Sequence, residues 1–184
     1  MYVVPEGWTN IEDWPSAFDL RYPALSVNGG WDSGGISAGI LIASEVGRPT
    51  GDPCSEQASG PPVWPKEWVE ALSADRDLVV SEPELVRVGG LHGYEIDVSI
   101  SPDYKGTCDF GGPSHSKSFL VGTGANAGLH RAYPTTPTRV IFLEPQSGGS
   151  LVVMPEDAED YPAFLKLAMP VVDSFLFFGR LPSQ

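Results

Sequence analysis

Eighteen prolines and twenty-one glycines punctuate this chain, and their spacing limits the length of any regular element it can form. Proline removes a backbone donor and glycine raises the entropic cost of ordering, so the segments between them are short. Short strands joined by turns meet that limit better than long helices. No repeat of the length used by solenoids or propellers recurs. At 184 residues the chain suits one core, so residues 1–184 are expected to form a single α+β domain.

Ser37 to Val46 reads as a buried strand, and Gly47 to Pro65 as a long loop. Pro65 then opens a short helix with Trp68, Ala71 and Leu72 on one face. Glu84 to Val88 and Tyr94 to Ile100 predict a hairpin across Gly89-Gly90-Leu91-His92-Gly93. In its second arm Tyr94, Ile96, Val98 and Ile100 share one face, while Glu95, Asp97 and Ser99 share a solvated one. Arg87 is therefore expected near Glu95 or Asp97 across the hairpin.

Ser101 to Ser116 reads as a second long loop. Phe119 to Val121 and Leu129 to Tyr133 are strand candidates, Thr138 to Leu143 is a strongly apolar central strand, and Gln146 to Gly149 turns into Leu151 to Met154. Phe164, Ala168, Val171 and Phe175 recur with helical spacing, which predicts a terminal helix that Pro170 should kink or stop. The whole reads as an antiparallel β-sheet with a short middle helix and a C-terminal helix packed on it, the α+β class.

Eleven basic against twenty-four acidic side chains leave a formal charge of -13. That field repels phosphate backbones and anionic headgroups, which argues against nucleic acid and membrane surfaces as partners. No apolar run is long enough to cross a bilayer, so no membrane insertion is expected. The acidity reads as a solvated, solubility-conferring surface rather than a cation site.

Cys54 and Cys108 both lie in stretches rich in glycine, proline and polar residues, without CxxC spacing or a neighbouring histidine. That fits a disulfide better than zinc or thiol chemistry. The closed loop of about 50 residues would be worth roughly 4 kcal/mol in the chain-entropy account. A disulfide implies an oxidising compartment. The N-terminus, Met1 to Trp8, has neither a basic leader nor an apolar signal core. This leaves either a cytosolic protein or a chain that starts after a processed export signal, and a first segment that already reads as a strand favours the second.

No contiguous motif supplies a catalytic centre. Asp32-Ser33-Gly34-Gly35 resembles the nucleophile signature of chymotrypsin-like proteases, but Trp31 replaces a glycine of that motif and the serine precedes every histidine. Gly122-Thr123-Gly124-Ala125-Asn126-Ala127 formally fits a dinucleotide fingerprint, yet Pro134 follows too soon for the helix the fingerprint needs. A hairpin loop explains it better. His92, His115 and His130 are dispersed without metal-pair spacing. No catalytic residue, cofactor or metal is assigned. Trp68 reads as core. Trp14 and Trp31, with His115 and His130, are the candidates for a ligand groove assembled from distant residues.

Val3-Val4-Pro5-Glu6-Gly7-Trp8, the turn from Val88-Gly89-Gly90 to Ile96, and Val171-Val172-Asp173-Ser174-Phe175 are similar to stretches of the PsbP/Mog1-like superfamily, including exported lipoproteins of the LpqN type. The resemblance implies an antiparallel sheet flanked by helices, export to the cell envelope, and a binding or assembly role without family-wide chemistry. No functional residue carries over. The leading expectation is thus a non-catalytic extracytoplasmic binding or sensing domain whose partner is an unknown small molecule or protein. The alternatives are a small hydrolase assembled across the long loops and a protein-protein interaction domain.

Overall fold

The computed structural model describes residues 4–14, 17–22, 38–48, 54–55, 58, 63–106, 117–123, 130–132, 137–156 and 160–177. The three most apolar runs become the middle of the main sheet: β3 (Gly39–Ala43), β10 (Thr138–Leu143) and β11 (Leu151–Glu156). Strand β11 lies between the other two, antiparallel to both. On one side β2 (Ala17–Arg21) and β1 (Thr9–Trp14) follow β3; on the other β7 (Leu91–Ile100) follows β10. The outer side of β7 is shared by β5 (Leu78–Val80) and β6 (Glu84–Val88). A small sheet is formed by β4 (Val46–Gly47), β8 (Ser118–Gly122) and β9 (His130–Ala132).

Alternation along each central strand divides the core in two. Val140 and Phe142 of β10 join Leu41, Ala43, Val152, Met154, Ile96, Val98 and Ile100 beneath α1 (Pro65–Ser73). Ile141 and Leu143 join Ile40, Ile42 and Val153 beneath α2 (Tyr161–Asp173). Val140 to Leu143 are at most 1% exposed, and burying such side chains stabilises by roughly 1.5–3 kcal/mol each. The architecture is the expected α+β: an antiparallel sheet with a middle helix on one face and a C-terminal helix on the other. Val46 and Leu120 place the small sheet on the α1 side.

Helix α1 begins at Pro65, and the Glu67 carboxylate accepts the Trp64 N–H at 3.0 Å. Trp68 is fully buried and stacks on Phe142 with ring centroids 5.2 Å apart. Val69 completes the buried face, and Ala71 sits only half-buried at its margin. Asp160 caps α2 by accepting the Ala163 N–H at 3.1 Å. The early stop expected at Pro170 does not occur, since the helix runs on to Asp173. Pro170 is on the solvent side, where the carbonyl it leaves unpaired can reach water.

The hairpin register differs from expectation. Gly89 and Gly90, with φ of 59° and 88°, complete a two-residue turn, so the return strand starts at Leu91 rather than Tyr94. Val88 pairs with Leu91, which sets exposed Arg87 opposite His92 and away from Glu95 and Asp97. Strands β1 and β2 were hidden in the sequence by Glu12, Asp13 and Pro15, which break the apolar pattern.

Tight backbone approach pins β7 to β10. A Cβ on Gly93 would stand 1.9 Å from the Phe142 carbonyl oxygen. Gly93→Ala should therefore force the strands apart and cost at least about 2 kcal/mol, read as a lowered urea midpoint.

Candidate functional site

The two ends of the main sheet differ. At one, strands are joined by the short connection 15–16, by Gly89-Gly90 and by residues 144–150, and β3 passes to β4 through Ser44-Glu45. At the other, Arg21, Gly39 and Glu156 stand in register, and Leu78 stands beside Ile100. From this second end leave the connections 22–38, 101–117, 133–137 and 157–160. Connections grouped at one end of a rigid sheet are the usual place for recognition, because they vary without disturbing the core.

Three ionic clusters occupy this end or the strands leading to it. Lys117, just before β8, is 12% exposed; its Nζ donates to Asp75 Oδ1 and Oδ2 at 2.8 and 2.6 Å and to Asp77 Oδ2 at 2.8 Å. The same ammonium lies 5.7 Å from the centroid of the Tyr104 ring. Tyr104 precedes the connection 107–116 and Lys117 follows it, so this contact closes its neck. The Ser101 N–H donates to the Asp77 carbonyl at 2.8 Å, tying the neck to β5. Burial works to lower the Lys117 pKa, but the hydrogen bonds to Asp75 and Asp77 outweigh it and leave the pKa raised.

Arg139 of β10 holds the second cluster. Its Nε and Nη2 donate to Asp97 at 3.0 and 3.2 Å, and Nη1 reaches Glu95 Oε1 at 2.9 Å. The Arg139 backbone N–H donates to the Tyr161 hydroxyl at 2.6 Å, and that hydroxyl donates to the Pro155 carbonyl at 3.0 Å. The Asp97 hydrogen bonds, chief among its influences, raise the Arg139 pKa. Glu95 is only 12% exposed, so the solvated face expected for it is in fact covered on the α2 side. Burial raises its pKa first, Arg139 opposes that, and Asp97, Glu84 and Asp173 push it further up.

The third cluster is a buried pair within β2. Asp19 is fully buried, and Arg21 donates to its Oδ2 from Nε at 3.0 Å as well as from Nη2. The Arg21 side chain lies across Gly39, where a Cβ would meet its Cδ at 2.7 Å.

Of the expected groove residues, Trp31 and His115 lie outside the described residues, in connections that leave the same end of the sheet. Trp14 terminates β1 at the opposite end, and His130 starts β9 beside Val121. Cys54 sits half-buried at a turn and is not a free thiol, and Cys108 lies outside the described residues. Ser33 also lies outside them. The run 122–127 connects β8 to β9, which pair antiparallel, and so does not open a parallel β-α-β unit.

Sequence reading missed Lys117, Tyr104, Arg139 and Asp19. One signal was available: Lys117 is the sole charged residue between Asp109 and Arg131, and a lone cation in an acidic chain calls for a carboxylate partner. No helix among the described residues is long and apolar enough to cross a membrane. Comparison with protein families, with curated proteins and with solved structures finds no match for this chain.

Two outcomes follow from the charge geometry. Lys117→Met should cost about 1–2 kcal/mol and speed limited proteolysis between residues 101 and 117, because two acidic side chains lose their shared donor. The Lys117 contribution is present below its unfolded pKa and is lost only as alkaline pH passes its raised folded value. Glu95 has the same sign in the acidic range. Its raised folded pKa favours folding below about pH 4.5, its ordinary value, and that contribution fades as pH climbs through the folded value. Glu95→Gln should flatten this slope and be neutral or stabilising at pH 7, measured by urea midpoints from pH 4 to 7.

Proposed function

We propose that this chain is a non-catalytic extracytoplasmic binding module that recognises a small molecule or protein through the connections 22–38 and 101–117. The observation that carries this reading is the neck at Tyr104 and Lys117, where two acidic residues and an aromatic ring hold the base of a connection at the end from which most of the long ones leave. Clamped bases let an extended connection present side chains at low entropic cost on binding. The ionic side chains described in the three clusters bind one another, which suits scaffolding better than proton transfer.

The extracytoplasmic assignment rests on the Cys54–Cys108 pairing read from the sequence. Val46 and Tyr104 both pack on the α1 side, so both cysteine-bearing connections start there and a bond between them would staple that layer. The similarity of the terminal motifs to exported PsbP/Mog1-like proteins points the same way.

A photoreactive side chain placed in the 107–116 connection should crosslink a binding partner in the native source, whereas one placed at exposed Ser147, in the 144–150 connection at the other end, should not. Crosslinks confined to Ser147 would reverse the assignment. Denatured native-source protein should show no reactive thiol before reduction and two after it; two thiols before reduction would remove the oxidising compartment.

A further inference from the structure

Among the described residues β6 pairs only with β7, which leaves its outer edge without a neighbouring strand. Because Val88 and Leu91 close a two-residue turn, Val88, Val86 and Glu84 direct their backbone groups toward β7. The N–H and C=O of Leu85 and Arg87 therefore point off the sheet. Leu85 is also 81% exposed, the most exposed of the large apolar side chains described, and it stands on the α1 face opposite Tyr94.

The α2 face of the same edge carries an opposed charge pair of like sign. Glu84 stands directly across from Glu95, an arrangement that costs stability. Arg139, the cation in contact with Glu95, is already divided between Glu95 and Asp97. Glu84 and Asp173 both act on Glu95 in the direction that opposes its ionisation. A cation brought alongside Glu84 would relieve this crowding.

A second copy of this chain is the wrong occupant, since each copy carries a formal charge of -13 and would bring another Glu84 to the edge. We propose that β6 accepts an extended cationic segment of another protein as an added strand, alternating basic residues over Glu84 with apolar residues beside Leu85. Alternation in the bound segment follows from the period of two along a strand: on the α2 face a basic side chain meets Glu84, while on the other face apolar side chains meet Leu85.

The test uses the full chain and a fluorescein-labelled Lys-Val-Lys-Val-Lys-Val peptide followed by anisotropy. Saturable binding that weakens with added salt is expected, reduced about threefold by Glu84→Gln and lost with Leu85→Pro. A Glu-Val-Glu-Val-Glu-Val peptide should not bind. Nor should the basic peptide when N-methylated on the amides that would face β6, because its charge remains but the ladder cannot form. Absence of saturable binding, or equal binding by the N-methylated peptide, would overturn the proposal. So would a chain that self-associates in sedimentation and becomes monomeric with Leu85→Pro. If Leu85→Pro melts below the wild type, the N-methylated peptide decides the matter alone, since it leaves the protein unaltered.

Discussion

Strands β3, β11 and β10 carry apolar side chains on both faces, so neither face of the sheet can be left to water. An antiparallel sheet with one wet face would need only one covering layer, whereas this one needs two. A helix is about 10 Å across and covers roughly two strand spacings. Helix α1 accordingly lies over β7, β5 and β10, and the small sheet adds Val46 and Leu120 to the same core. On the other face α2 places Phe164, Ala168, Val171 and Val172 over Ile141 and Val153. The connection from β3 to β4 through Glu45 leads the chain from the main sheet to the small one, and residues 133–137 bring it back to β10.

Where apolar packing gives out, charge sets position. The Lys117, Arg139 and Arg21 clusters are mostly shielded, and such pairs gain little net stability once desolvation is counted. Their effect is geometric, because breaking one leaves a shielded charge without its partner. Lys117 fixes where β8 begins relative to the α1–β5 corner, and Arg139 ties β10 to β7 beside the start of α2. Arg21 depends on the missing side chain at Gly39, which links the charge pair to the first pairing of β2 with β3.

Legibility in the sequence followed how local the determining physics is. Thr138 to Leu143 could be read as a strand to the residue, since continuous apolar character is its own signal. Helix α1 was readable from Pro65 and Trp68. The β6–β7 turn was misjudged because Gly93 looked like part of the loop, when it serves a close approach to Phe142 inside the strand. Arg87 was consequently matched to the wrong carboxylates. Their true partner, Arg139, comes from a strand more than forty residues away, and no local pattern reports such a pairing. The same holds for Lys117 with Asp75 and Asp77. The grouping of connections at one end of the sheet was equally hidden, since it depends on strand order.

Scarcity of cations links these observations. Eleven basic residues serve a chain with twenty-four acidic ones, and two shielded cations are each divided between two carboxylates. Lys117 holds Asp75 and Asp77, and Arg139 holds Glu95 and Asp97, so each cluster keeps a residual negative charge. Glu95 shows the consequence: its carboxylate is desolvated beside a guanidinium it must share, with Glu84 across the ladder. Net charge is usually an argument about solubility and partners rather than fold. Here it reaches into the fold, because Lys117 and Arg139 are each shared between two carboxylates, while Glu84 and Glu95 still face each other across β6 and β7, where the proposed basic strand would add positive charge.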